Sequence, residues 1–122
     1  MSMERGIITI TESGVMGMPT APVWMTQFEI ADLFGVFSCD VRKAIQIIYK
    51  NKELNEVGTM RYVRQPNGVS YDVYSLEMVM VIAFRICCKE SMLFRQFVIG
   101  KLSAGRISLL VSYGREISHW YN

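Results

Sequence analysis

The fold is decided by the stretch Val23-Trp-Met-Thr-Gln-Phe-Glu-Ile-Ala-Asp-Leu-Phe-Gly-Val36. Thr26 is followed three residues later by Glu29, the spacing of a capping box, which predicts that a helix starts at Thr26. Apolar residues then recur at helical spacing and predict the buried face of this helix. That face consists of Ile30, Leu33 and Phe34.

A second helix is predicted directly after the first. Gly35 is placed to end the first helix in the left-handed conformation that glycine tolerates. Ser38 is a suitable N-cap for the next helix, which is expected to run to about Lys50. Its apolar stripe follows the spacing i, i+4, i+7 and consists of Val41, Ile45 and Ile48. Two short helices joined by a glycine turn are typical of a helix-turn-helix unit.

The register of this segment favours that unit over a general two-helix corner, which stays open as the alternative. Counting from Gln27, the fifth position is the small residue Ala31, which allows the second helix to approach. The ninth position is Gly35, at the turn, and the tenth and fifteenth are Val36 and Val41. The small, turn and core positions therefore agree with one another.

A β-hairpin is predicted between residues 60 and 74. Asn67-Gly68 is a turn signal between two runs rich in Val and Tyr. A hairpin after the second helix corresponds to the wing of a winged domain. Arg61 and Arg64 are then suited to contact phosphates, or alternatively they solvate the outer face of the sheet.

The two ends of the chain add further elements. Residues 7–11 are β-branched and predict a strand, with a turn at 12–14 and a returning strand at 15–18. Ser75 is expected to cap a helix over 76–86, and Ser91 one over 92–102. Residues 107–113 fit either a strand or a helix and turn.

The predicted architecture is α+β: a winged helix-turn-helix with an N-terminal β-hairpin and additional C-terminal helices. Three regions are expected: an N-terminal strand or hairpin appendage (1–22), the winged domain (23–103) and a C-terminal packing or dimerisation segment (104–122). Hydrophobic residues make up 51% of the 122. A chain this short leaves much of that surface exposed, so we expect a homodimer.

Membrane insertion and export are not expected. The longest apolar run, Met78 to Phe84, is far shorter than the ~20 residues that a membrane helix requires. The first residues lack the basic and apolar regions of a signal peptide. Cys39, Cys87 and Cys88 show no metal-ligand spacing and are expected to be free thiols in the reducing cytoplasm.

Enzymatic chemistry is not expected either. His119 is the single histidine, and no Ser/His/Asp or Cys/His arrangement includes it. The sequence contains no phosphate-binding loop. We therefore predict no catalytic residues, no metal site and no cofactor.

The charge distribution favours a polyanionic partner. Residues 1–35 carry one base against four acids, a net charge of −3. Residues 36–64 carry six bases against three acids, a net charge of +3, and residues 85–106 carry five against one. Local basic regions matter more to a nucleic acid than the overall charge of +2.

Several segments resemble the RhuM family of bacterial virulence-associated proteins. Residues 24–36 are similar to the family pattern Trp-Leu-Thr-Gln-x-x-Ile-Ala-x-Leu-Phe-Gly-Val. Tyr74-Ser-Leu-Glu-Met-Val79, Ala83-Phe-Arg-Ile86 and Phe94-Arg-Gln-Phe97 resemble later family motifs. The resemblance spans about residues 23–103 and implies a DNA-binding-like fold of bacteria and their mobile elements. The family's polar Ser-Arg-Ser-Thr is replaced here by Phe37-Ser-Cys-Asp40.

Two functions follow as hypotheses. The first is a transcriptional or mobile-element regulator that binds double-stranded DNA, with the helix over 38–50 in the major groove and the wing on the backbone. Its expected contact residues are Ser38, Arg42, Lys43, Gln46, Lys50, Arg61 and Arg64. The second is a protein-interaction or assembly module that keeps the fold without binding DNA, which Phe37 and the nine methionines favour.

Overall fold

The structure is a computed structural model and describes residues 4–105. Within that range, five helices and two small antiparallel sheets form a mixed fold, which agrees with the predicted α+β class. The predictions for 107–113 lie outside the described residues. In chain order the elements are β1 (Thr9–Ile10), β2 (Met16–Gly17), β3 (Trp24–Met25), α1 (Gln27–Phe34), α2 (Ser38–Lys50), α3 (Glu56–Thr59), β4 (Met60–Arg64), β5 (Ser70–Ser75), α4 (Leu76–Arg85) and α5 (Lys89–Gly105).

The start and end of α1 are as the sequence predicts. The backbone N–H of Glu29 donates to Thr26 Oγ1 at 3.1 Å, and the N–H of Thr26 donates to Glu29 Oε1 at 2.8 Å. Both halves of the capping box are therefore present. Gly35 ends the helix with a φ of 64°, a conformation that costs other residues energy.

Helix α2 has its predicted extent but not its predicted cap. Phe37, not Ser38, occupies the N-cap position with an extended backbone, and its side chain makes no capping hydrogen bond. The Phe37 carbonyl instead accepts the N–H groups of Asp40 and Val41 at 3.0 and 3.3 Å. Ser38 is therefore the first residue inside the helix, because the turn after Gly35 is one residue shorter than expected.

The larger sheet has the order β3-β5-β4, with Arg64 opposite Ser70 and Trp24 opposite Ser75. The predicted hairpin is confirmed as β4–β5. Its loop is closed by a turn in which the Gly68 N–H donates to the Gln65 carbonyl at 2.9 Å and Gly68 has a φ of 89°. Strand β3 was not predicted, because two residues are too few to show an alternating pattern.

The C-terminal helices start differently from one another. Ser75 lies at the N-cap of α4 as predicted, although its hydroxyl donates to Glu77 Oε2 at 3.3 Å and not to the helix backbone. The prediction that Ser91 caps the next helix is wrong, since α5 already begins at Lys89. Ser91 lies in its first turn, where its hydroxyl accepts the Cys88 N–H at 3.0 Å.

The core lies between the inner faces of α1, α2, α4 and α5 and the sheet. Phe34 and Phe94 are fully buried and meet edge to face, with ring centres 5.8 Å apart. The N-terminal hairpin belongs to this core, because Ile8 is only 2% exposed. No helix in residues 4–105 has the length and apolar character needed to cross a membrane. The main buried residues from the helices are Ile30, Phe34, Val41, Ile45, Ile48, Met78, Val79, Ile82 and Phe94.

Candidate nucleic-acid interface

The outward side of α2 brings together most of the predicted contact residues. Its apolar positions are buried in the core, which leaves the opposite side of the helix facing solvent. Positions 39, 43, 46 and 50 follow the spacing i, i+4, i+7, i+11 and so lie along one line of a helix with 3.6 residues per turn. We call this exposed surface the basic face. It consists of Cys39, Arg42, Lys43, Gln46 and Lys50.

The charge of the basic face is uncompensated by the rest of the described chain. Neither Arg42 nor Lys43 forms an ion pair or hydrogen bond with any residue between 4 and 105. The acid in α2 is Asp40, which lies in the first turn, where the helix dipole favours a negative charge. The first cation, Arg42, follows two residues later, so charge along α2 changes from negative to positive toward its C-terminus.

Ser38 lies at the edge of this surface and is half-buried. Its carbonyl accepts a hydrogen bond from Gln27 Nε2 at 3.0 Å. Because Gln27 is the first residue of α1, this bond joins the first turns of the two helices. It fixes the backbone of Ser38, directly before Cys39, the first residue of the basic face.

Gln27 also connects α2 to the hairpin. It lines a cleft of about 440 Å³ together with Gln65 and Tyr71 of the hairpin and Phe28 of α1. The loop end of the hairpin therefore lies beside the first turn of α1, which in turn contacts the first turn of α2. Gln27 thus contacts the first turn of α2 and lines the cleft beside the hairpin.

Arg64 lies at that end of the hairpin. It is exposed and lines a second cleft, of about 340 Å³, with Pro66, Asn67 and Tyr71. Tyr71 is shared with the first cleft, so Arg64 and Gln27 line neighbouring clefts that have one tyrosine in common. Of the two hairpin arginines, Arg64 is the one at the loop end of β4.

Arg61 has a different environment. Its guanidinium lies 4.4 Å from the centre of the Trp24 indole ring, across the central strand β5. This is a cation–π contact, and Trp24 is only 8% exposed beneath it. Arg61 therefore covers a core aromatic ring, while the residue as a whole remains exposed to solvent.

The start of α1 is held by an ion pair that sequence reasoning did not find. Arg5 donates from Nη1 and Nη2 to the two carboxylate oxygens of Glu29, at 2.5 and 3.2 Å. Burial raises the pKa of Glu29, but the hydrogen bonds from Arg5 and Thr26 outweigh it and lower that pKa overall. Arg5 is 24 residues from Glu29 in the chain, so no local spacing indicates the pair.

Phe37 is the other feature that the sequence left open. Its side chain is 75% exposed at the start of α2 and is not packed against the first helix. Burial depends on the whole fold, and an aromatic residue beside a glycine turn is usually expected to join the core.

The surface as a whole offers cations, one amide and one exposed ring, and it suits a polyanion better than a small substrate. Among residues 4–105 no group of three or more His, Cys, Asp or Glu side chains is placed to hold a metal ion. Cys39, Cys87 and Cys88 are free thiols. No family model matches the chain, and neither a curated protein nor a solved structure matches it.

Proposed function

We propose that this protein binds double-stranded DNA as a winged helix-turn-helix regulator. Helix α2 is the recognition helix and lies in the major groove, and the β4–β5 hairpin is the wing. The observation that supports this most is the basic face, where Arg42, Lys43 and Lys50 project from a helix whose opposite side is fixed in the core. A 13-residue helix is about 20 Å long, enough to lie across a major groove about 12 Å wide.

Each contact residue has a role in this proposal. Arg42 and Gln46 lie on adjacent turns and carry the groups that hydrogen-bond guanine and adenine edges, respectively. Lys43 and Lys50 bind phosphates on either side of the groove, and Arg64 binds the backbone from the wing. Gln27 holds the Ser38 carbonyl, and in this proposal the Ser38 hydroxyl contacts the DNA backbone at the start of α2. Arg61 acts mainly by covering Trp24.

The proposal also includes the RhuM-like relationship and a homodimer. Met92 and Ile99 are seven residues apart on α5 and are about half exposed, which gives that helix an apolar strip on its outer side. A second copy of the chain would cover such a strip. Sedimentation of the purified protein at micromolar concentration checks the dimer, and a monomer at all concentrations would contradict it.

DNA binding is tested by fluorescence anisotropy with a 30-base-pair mixed-sequence duplex at several salt concentrations. Three cations, Lys43, Lys50 and Arg64, neutralise about three phosphates, so the logarithm of affinity should fall with the logarithm of salt with a slope of about −2.7. Each of Lys43→Gln and Lys50→Gln should reduce the slope by about 1.

Lys101→Gln is the matched control, since Lys101 is an exposed lysine in the C-terminal half of α5. It should leave both affinity and slope unchanged. A flat salt response, or no binding at low salt, contradicts the proposal. An equal effect of all three lysine substitutions would mean that α2 has no special part in binding.

An assembly module that binds protein is the second candidate, and one observation favours it. Phe28 and Phe37 are both at least 70% exposed, near the first turns of α1 and α2. Two exposed aromatic rings at one end of a fold are common in protein interfaces. This candidate predicts that Phe28→Ser and Phe37→Ser abolish partner binding while Lys43→Gln does not.

A further inference from the structure

The side chain of Phe37 performs no structural task that the described residues reveal. The N-cap position favours Ser, Thr, Asp or Asn, because their oxygens accept a backbone N–H of the first turn. Phe37 provides no such bond, and its ring is 75% exposed, so it contributes neither a cap nor core packing. Only the backbone of Phe37 stabilises the helix, because its carbonyl accepts the N–H groups of Asp40 and Val41.

The ring stands at the end of α2 that would meet base edges. In helix-turn-helix complexes the N-terminal residues of the second helix contact the bases. The segment Phe37-Ser-Cys-Asp40 contains no cation, whereas Arg42, Lys43 and Lys50 follow it. The first turn therefore offers phosphate no opposite charge, whereas the rest of the helix does.

The chemistry of the ring limits what it can contact there. A phenyl group neither donates nor accepts a conventional hydrogen bond, so it cannot distinguish the polar atoms of the base edges. The thymine 5-methyl is the one apolar group that the four bases present in the major groove. An exposed ring next to a groove-bound helix gains free energy by removing that methyl group from water.

We propose that Phe37 is a specificity-determining residue that recognises thymine through its 5-methyl group. The inference rests on the proposed DNA-binding function and adds to it a base preference at the start of α2. It assigns the two ends of that helix to different parts of the DNA. The first turn selects an A·T pair by apolar contact, and the cations beyond it supply most of the affinity.

The test compares duplexes that differ only in this methyl group. A mixed-sequence, A·T-rich 30-base-pair duplex is prepared with thymine and again with uracil in its place, and anisotropy gives the affinity of each. Burying one methyl group should make the thymine duplex bind about fourfold more tightly. Phe37→Ala should bind both duplexes equally, at the level of the uracil duplex, and Phe37→Leu should keep part of the preference.

Phe84→Ala is the matched control, because Phe84 is an exposed phenylalanine on α4. It should keep the full preference for thymine, and circular dichroism checks that each variant is folded. Equal affinity of the wild-type protein for both duplexes overturns the inference but leaves DNA binding intact. An equal loss on both duplexes in Phe37→Ala also overturns it, since the ring would then contact something other than the methyl group. No binding to either duplex overturns both proposals.

Discussion

The guanidinium of Arg61 lies 4.4 Å above the indole ring of Trp24, and the two residues belong to strands on either side of β5. The sequence places them 37 positions apart and shows no sign of the contact. Arg61, which is expected to bind phosphate, thus also shields the buried Trp24 from solvent. Substitution of Arg61 should therefore reduce the stability of the fold more than it reduces the binding of any ligand.

We expect Arg61→Ala to lower the free energy of unfolding by about 0.5–1 kcal/mol through loss of the cation–π contact. Water would then reach the indole, so the emission of Trp24 should shift to longer wavelength. The measurement uses a Trp120→Phe background, in which Trp24 is the single tryptophan. Arg64→Ala, on the same strand, should shift neither quantity, and a similar red shift in both variants would contradict the assignment.

Lys52 is the position at which backbone strain is most easily relieved. It has a φ of 59° just after α2, and its N–H donates to the Tyr49 carbonyl at 3.1 Å, which closes the helix end. Lys52→Gly should raise the free energy of unfolding by about 1 kcal/mol, because glycine adopts this conformation without steric cost. Lys52→Ala removes the same charge but keeps the strain, so thermal melts in which alanine matches glycine would refute the prediction.

The Arg5–Glu29 pair should make stability depend on pH in the acid range. The pKa of Glu29 is lowered in the folded state, so the folded form binds fewer protons than the unfolded form as pH falls. The stabilisation is present above the unfolded pKa of about 4.3 and is lost as pH falls through the lower folded value. Urea unfolding between pH 7 and pH 3 measures this dependence.

Glu29→Gln should reduce stability at pH 7 and flatten the acid side of that curve. Glu12→Gln is the control, since Glu12 lies exposed in the turn between β1 and β2. An unchanged acid dependence in Glu29→Gln would show that other groups determine it.

Ser91 is expected to be the most sensitive polar residue of the core. Its hydroxyl lies 2.8 Å from the Ile86 carbonyl and 3.0 Å from the Cys88 N–H, and the residue is fully buried. Ser91→Ala leaves these groups without that partner and should cost about 1–3 kcal/mol. Denaturant melts would check this against Ser103→Ala, an exposed serine on the same helix, which should be neutral.

Local signals were sufficient for the first half of the fold. The Thr26–Glu29 box and Gly35 each act within a few residues, so the bounds of α1 follow from their chemistry. The i, i+4, i+7 stripe placed α2 correctly, because burial of one helix face has a fixed period. The prediction placed the cap of α5 at Ser91 because serine is a common cap residue and cysteine is not. In the structure the Cys88 N–H donates to Ser91 Oγ and the Ser91 N–H donates to Cys88 Sγ, so the two residues bond to each other at the helix start.

Less of the candidate site could be predicted from the sequence. Arg42, Lys43, Gln46 and Lys50 could be assigned to one exposed face, since helical periodicity alone determines it. The exposure of Phe37, the stacking of Arg61 and the bridge made by Gln27 depend on contacts between distant segments. Such contacts arise only when the elements are packed together, so no pattern within one window of sequence contains them.

The position of α5 has a consequence for how the chain reaches its native state. This last described helix contacts β2, places Phe94 against Phe34 of α1, and lies alongside Gly14 of the first hairpin through Leu93. Residues of the first hairpin thus find their partners among residues made about 80 positions later. The core around Phe34 can therefore close only after Phe94 has been synthesised, and until then the apolar surface around Phe34 is exposed to water.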